Sequence, residues 1–134
     1  MRLRLAVTRT ARRLRQEAAS DLGPSTTSAL AVIEMHGPIT PSELAAIEGV
    51  QRPTATRIVA RLVDRGLIDR APDPADGRSS LLSVTAEGRA LLRRLRARKT
   101  AFLARRMEAL SGADLAALER AVPVLEGLLE EADD

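Results

Sequence analysis

The chain has 134 residues, 45% of them apolar but only one aromatic, Phe102, so one domain of ordinary size with an aliphatic core is expected. No cysteine and a single histidine, His36, exclude disulfides, thiolate metal sites and thiol redox sensing. The net charge of +3 is unevenly spread: residues 1–100 carry 18 basic and 10 acidic side chains, whereas residues 101–134 carry 3 and 8.

Residues 2–19 read as a helix, with Leu3, Val7, Leu14 and Ala18 on one face and Arg4, Arg9, Arg12, Arg13 and Arg15 elsewhere. Asp21-Leu22-Gly23-Pro24 stops it. The next helix, capped by Ser25 or Thr26, runs through Leu30 and Ile33 and ends at His36-Gly37-Pro38. Thr40-Pro41-Ser42-Glu43 has the pattern of a capping box, in which the Thr40 hydroxyl accepts from the Glu43 amide and Glu43 reaches back to Thr40. That short helix is expected to bury Leu44 and Ile47, and Gly49 makes the turn that follows.

A helix over about residues 52–65 has Ala55, Ile58, Val59 and Leu62 as its buried stripe. Opposite lie Pro53, Arg57, Ala60, Arg61 and Asp64, with Thr54 and Thr56 on the flanks; the small Ala60 lets this face approach a surface closely. Gly66 ends the helix. Residues 67–71 and 80–84 read as strands, with Leu82 and Val84 on one face and Asp76-Gly77 as the hairpin turn signal. Thr85 caps a long helix over 86–110 carrying Leu91, Leu92, Leu95, Phe102 and Leu103. Ser111 caps a last one carrying Leu115, Leu118, Val122, Leu125 and Leu129, in which Pro123 is expected to introduce a kink.

The fold class is therefore mainly α with a small β-hairpin wing: a winged helix-turn-helix flanked by terminal helices. Two helices joined by a Gly-containing turn, the second cationic on its outer face, can place side chains in a DNA major groove. Arg57 and Arg61 are the first candidates for base or phosphate contacts, joined by Gln51, Arg52, Pro53, Thr54 and Thr56 near the helix N-terminus. Arg78, at the hairpin tip, is either a solvated charge or a side chain that enters a narrow A·T-rich minor groove. The terminal helices carry apolar stripes that a module of about 60 residues cannot cover, which implies a twofold dimer. The expected layout is a single domain over 1–134, with the DNA-binding part at 24–86 and dimerisation helices at 1–22 and 87–134.

Other classes fit less well. The scarcity of aromatic residues argues against a single-strand binder that stacks bases. There is no Gly-rich phosphate loop and no acid pair suited to catalysis, so an enzyme is not expected, nor a cofactor or metal. Met1-Arg2-Leu3-Arg4-Leu5 lacks the apolar segment of a signal peptide, and no run of about 18 apolar residues is present, so a cytoplasmic location is expected. The alternative is a winged helix used as a protein-interaction module, which would offer an apolar outer face instead of arginines and threonines.

The sequence resembles the multiple antibiotic resistance regulator (MarR) family of bacterial transcription factors over nearly its whole length. The resemblance rests on Gly37-Pro38-Ile39-Thr40-Pro41-Ser42-Glu43-Leu44-Ala45, on Thr56-Arg57-Ile58-Val59 with Leu62 and Gly66-Leu67-Ile68, and on Asp76-Gly77-Arg78 leading to Leu82-Ser83-Val84-Thr85-Ala86-Glu87-Gly88. It implies a homodimer with interlocked terminal helices, the helix from Arg52 in the major groove and Arg78 in the adjacent minor groove. It also implies a pseudo-palindromic operator, repression as the commoner mode, and a small-molecule effector that releases the DNA. Two features depart from the family pattern. Without cysteine, its peroxide-sensing chemistry is excluded; and Ser25-Thr26-Thr27-Ser28 stands where bulky or aromatic residues often line the effector pocket.

Overall fold

A computed structural model describes residues 1–130, so the last four residues of the expected dimerisation segment at 87–134 lie outside the described residues. The elements in chain order are α1 (Arg2–Glu17), α2 (Pro24–His36), α3 (Pro41–Glu48), α4 (Arg52–Asp64), β1 (Ile68–Pro72), β2 (Ser80–Val84), α5 (Ala86–Met107) and α6 (Gly112–Gly127). They divide into two compact units that part within α5, between Lys99 and Thr100.

The first unit is built around an aliphatic cluster in which Leu30, Ile33, Leu44, Leu62, Ile68 and Leu82 are essentially inaccessible. Leu30 and Ile33 come from α2, Leu44 from α3, Leu62 from α4, and Ile68 and Leu82 from the hairpin. The strands pair antiparallel in the register Ile68↔Val84 to Pro72↔Ser80. Ile39, between α2 and α3, exchanges both backbone hydrogen bonds with Leu82, at 3.1 and 2.7 Å, and so adds a one-residue third rung to the hairpin. That rung fixes the base of the wing to the start of the helix-turn-helix.

The capping box forms as expected: the Thr40 hydroxyl accepts from the Glu43 amide at 3.2 Å, and a Glu43 carboxylate oxygen accepts from the Thr40 amide at 3.4 Å. Gly49 then adopts the left-handed conformation, φ +66°, that turns the chain into α4. Ala55, Ile58, Val59 and Leu62 are the buried residues of α4, as its periodicity predicts. Thr85 caps α5 by accepting from the Gly88 amide at 3.1 Å, while its hydroxyl donates to the Gly66 carbonyl at 2.7 Å.

Two expectations are corrected. The N-cap of α2 is Gly23, not Ser25 or Thr26; Pro24 opens the helix, Thr26 is turned inward and buried, and the Thr27 hydroxyl donates back to the Gly23 carbonyl at 2.8 Å. Ile47 is 48% exposed, because Leu44 and Ala45 define the buried face of α3 and Ile47 lies about 110° from its centre. At the wing tip Asp76-Gly77 falls in a turn as expected, the second of two successive turns, Asp73 to Asp76 and Asp76 to Ser79.

Gly88 shows why a side chain is excluded at the start of α5. A Cβ there would sit 2.3 Å from the Leu67 carbonyl oxygen, a backbone atom that cannot move aside alone. Gly88→Ala is expected to cost about 1–3 kcal/mol of stability, the usual range for overpacking. Urea denaturation measures this, and an unchanged midpoint would contradict the close approach.

The second unit, described here to residue 130, contains the end of α5 and all of α6. Ser111 caps α6 as expected, accepting from the Asp114 amide at 3.1 Å, and the helix continues through Pro123 to Gly127. Phe102 is buried, with the Arg106 guanidinium 5.1 Å from its ring centre. No residue of α6 is buried: Leu118 is 46% and Val122 50% exposed. Likewise α1, in the first unit, buries none of its residues and leaves Leu3 and Val7 in solvent. Among the described residues no helix is long and apolar enough to cross a membrane.

Candidate nucleic-acid interface

The polar face of α4 is open to solvent from end to end. Gln51 is its N-cap, Pro53 lies in its first turn, and Gln51, Arg52, Pro53, Thr56, Arg57 and Arg61 are all exposed, with Thr54 half-buried. No acidic residue occupies the first turn, so the positive end of the helix dipole is unopposed there. The Arg52 guanidinium donates to the Ser42 hydroxyl on α3, joining the two helices of the motif at their N-terminal ends. The Thr56 hydroxyl donates to the Arg52 carbonyl at 2.9 Å, and Arg57 donates to the Thr54 hydroxyl at 3.3 Å.

Beside this face, between α3, α4 and the wing, is an open cleft of about 380 Å³. Arg52, Arg70 and Arg78 line it, with Ser42, Thr56, Ser79 and Ser80 and the acidic Asp76. Asp73 and Asp76, the acidic side chains nearest the wing tip, are occupied in shaping it. Asp73 accepts from the Ala75 amide at 2.9 Å, and Asp76 accepts from the backbone amide of Arg78 at 3.0 Å, not from its guanidinium. The Arg78 guanidinium is thus presented by a tip that is itself hydrogen-bonded into shape.

Farther along α4 the arginines behave differently. Arg61 donates to the Asp21 carbonyl at 2.5 Å, and Arg65 grips the Asp21 carboxylate with both terminal nitrogens, at 2.9 and 3.1 Å. The hydrogen bond from Arg65, more than simple charge attraction, holds the Asp21 carboxyl below its ordinary range, and Asp21 in turn raises the Arg65 guanidinium. With that direction of shift, the pair is intact at neutral pH and is lost only as acidification protonates the carboxylate.

Of the residues singled out in the sequence, Arg52, Thr56 and Arg78 meet at the cleft, and Arg57 stands beside Thr54 on the open face. Arg61 is drawn to Asp21. Of the polar cleft residues, Arg70, Ser42, Ser79 and Ser80 escape sequence reasoning. Arg70 lies on β1 opposite Leu82, and only the strand register carries it to the same cleft as Arg78. Ser42 reads as part of a cap, and its role emerges from the Arg52 contact.

A second concavity, a groove of about 540 Å³, lies between α1, α2 and α5 within the first unit. Its apolar wall includes Ala18, Ala31, Leu92 and Leu95, and Arg12, Arg15 and Lys99 stand around it. Glu34 of α2 bonds Arg96 of α5 at 2.8 Å, tying together two of the helices that form it. Among the described residues no group of acidic, histidine or cysteine side chains is placed to hold a metal.

The MarR family profile matches residues 20–79, from the α1–α2 corner to the wing tip. An uncharacterized HTH-type transcriptional regulator of Mycobacterium bovis is 37% identical over 131 residues, covering 97% of this chain and 92% of that protein. Among solved structures, a protein of Pseudomonas aeruginosa PA01 assigned as a transcriptional regulator superposes with a TM-score of 0.87 at 35% identity, covering 97% of this chain and 92% of its own. The multiple antibiotic resistance repressor MarR superposes with a TM-score of 0.76 at 25% identity, covering 96% and 92%. The six helices and two-stranded hairpin are thus the winged-helix fold of these regulators, and the chain belongs to the MarR family of transcriptional regulators.

Proposed function

We propose that the protein is a homodimeric repressor that binds double-stranded DNA at an inverted-repeat operator. The observation that carries this reading is the convergence of Arg52, Arg70 and Arg78 on one cleft beside an α4 face whose N-terminal half is solvent-exposed and free of acidic residues. A cleft lined by three arginines and four hydroxyl residues, against one carboxylate at Asp76, suits a phosphate, since arginine forks match its oxygens. With a backbone phosphate seated there, the first turns of α4 lie in the major groove. Gln51, Arg52, Pro53, Thr54, Thr56 and Arg57 then face base edges and flanking phosphates, and Arg78 extends from the wing toward the minor groove.

The second copy is needed for two reasons. The exposed Leu3 and Val7 of α1 and the exposed Leu118 and Val122 of α6 form apolar faces that the chain leaves in water. A twofold dimer covers them and places two recognition helices about one DNA turn, roughly 10 bp, apart. Residues 24–86 would then form the DNA-binding part, with 1–22 and 87–134 the dimerisation segments. The groove between α1, α2 and α5 has the size and apolar lining of an effector site, and Arg12, Arg15 and Lys99, beside the Glu34-paired Arg96, select an anionic small molecule.

A salt titration of binding to duplex DNA, followed by fluorescence anisotropy, tests the reading. Counterion release makes log affinity fall with log salt by about 0.9 per phosphate neutralised, so a slope of several units is expected. Weak retention insensitive to salt would replace this reading with that of a protein-interaction module.

A further inference from the structure

Arg57, Arg61 and Arg65 are spaced i, i+4, i+8 and follow one face of α4 for about 12 Å. Only the first of them is left to the open face. The other two are held by a single residue on the corner between α1 and α2: Asp21 offers its backbone carbonyl to Arg61 and both carboxylate oxygens to Arg65. We propose that Asp21 is a positioning residue for the recognition helix, withholding two arginines from DNA phosphate and fixing the C-terminal end of α4 to the α1–α2 corner.

The corner is suited to act as a fixed post. Leu22, the next residue, is only 2% exposed and belongs to the aliphatic cluster, and Gly23 turns the chain at φ +81° into α2. Asp21 therefore stands on anchored backbone while its side chain remains 72% exposed. That exposure decides between two roles. A solvent-exposed ion pair adds little to stability, so a purely structural account gives this one little to do. Its bidentate geometry is nevertheless directional and fixes the orientation of a planar guanidinium. The consequence falls on recognition. Two more free guanidinium groups at the end of α4 would bind phosphate on any duplex, raising affinity without regard to sequence and diluting what the N-terminal turns read. With both tied back, the cationic stripe ends at Arg57.

The inference rests on the DNA-binding reading, and the experiment separates the two. Full-length wild type, Asp21→Asn, Asp21→Glu and Arg65→Gln are titrated on an operator duplex obtained by selection from a pool of random sequences and on a random duplex, over a series of salt concentrations, with thermal melting alongside. Asp21→Asn keeps the backbone carbonyl and frees only Arg65. It is expected to melt as wild type does, to bind random DNA roughly 3- to 10-fold more tightly at low salt, and to steepen the salt slope by about 1.8, one added phosphate contact for each protomer of the dimer. The operator-to-random ratio falls accordingly. Asp21→Glu restores the wild-type slope, and in the Arg65→Gln background Asp21→Asn changes nothing. An unaltered slope and random-DNA affinity for Asp21→Asn would overturn the proposal. So would an equal loss of both affinities together with a lower melting temperature, which would make Asp21 a residue of the fold alone. Failure of wild type to bind either duplex would instead remove the DNA-binding reading.

Discussion

Arg57→Ala is expected to weaken operator binding by about 1–3 kcal/mol for each protomer if the side chain reads a base. A twofold dimer presents the residue twice on one operator, so the two losses fall on the same complex and its affinity drops by about 1.5 to 4 orders of magnitude. Arg57 is singled out because it is exposed on the face that α4 turns away from the core and is oriented only by Thr54, one turn before it, at 3.3 Å. Losing it disturbs no packing, so the melting temperature should stay close to wild type. Titration against operator and random duplexes separates base reading from phosphate contact. A loss confined to the operator marks base reading, whereas equal losses on both mark a phosphate contact.

The second large effect belongs to the terminal helices. Leu118→Asp combined with Val122→Asp places two charges on a face of α6 that is about half exposed in the single chain. If that face were solvated in the working protein, the charges would be tolerated. If it meets a second copy, each carboxylate must be desolvated against apolar groups, which is costly. The double variant is expected to sediment as a monomer. Its operator affinity should fall by roughly 10²–10⁴-fold, because the second half-site is no longer bound intramolecularly. Where folding and association are linked, the wild-type melting temperature also rises with protein concentration. An unchanged dimer mass for the double variant would remove α6 from the interface.

Much of the fold was legible because its determinants are local. The Thr40–Glu43 box is four consecutive residues whose polar groups satisfy one another, and the Ala55, Ile58, Val59, Leu62 stripe is a single helical period. Where local signals compete, reading them failed. Asp21-Leu22-Gly23-Pro24 reads as the stop of the first helix, yet Pro24 is the first residue of the second, and neither Ser25 nor Thr26, the residues that read as its caps, caps it. In α3 the wheel offers Leu44 and Ile47 with nothing to say that Ala45 shares the buried face with Leu44.

The candidate site divides along the same line. Its recognition helix and wing arginine follow from sequence order, but Arg70 reaches the cleft through strand register, and Arg61 and Arg65 find Asp21 across 40 and 44 residues of chain. Contacts that distant leave no periodic trace.

Selection from a pool of random duplexes, followed by sequencing, tests the central claim most directly. The account predicts enrichment of an inverted repeat with half-sites centred about 10 bp apart. Failure to enrich any sequence, or enrichment of a single site without twofold symmetry, would contradict a homodimer reading DNA through paired α4 helices.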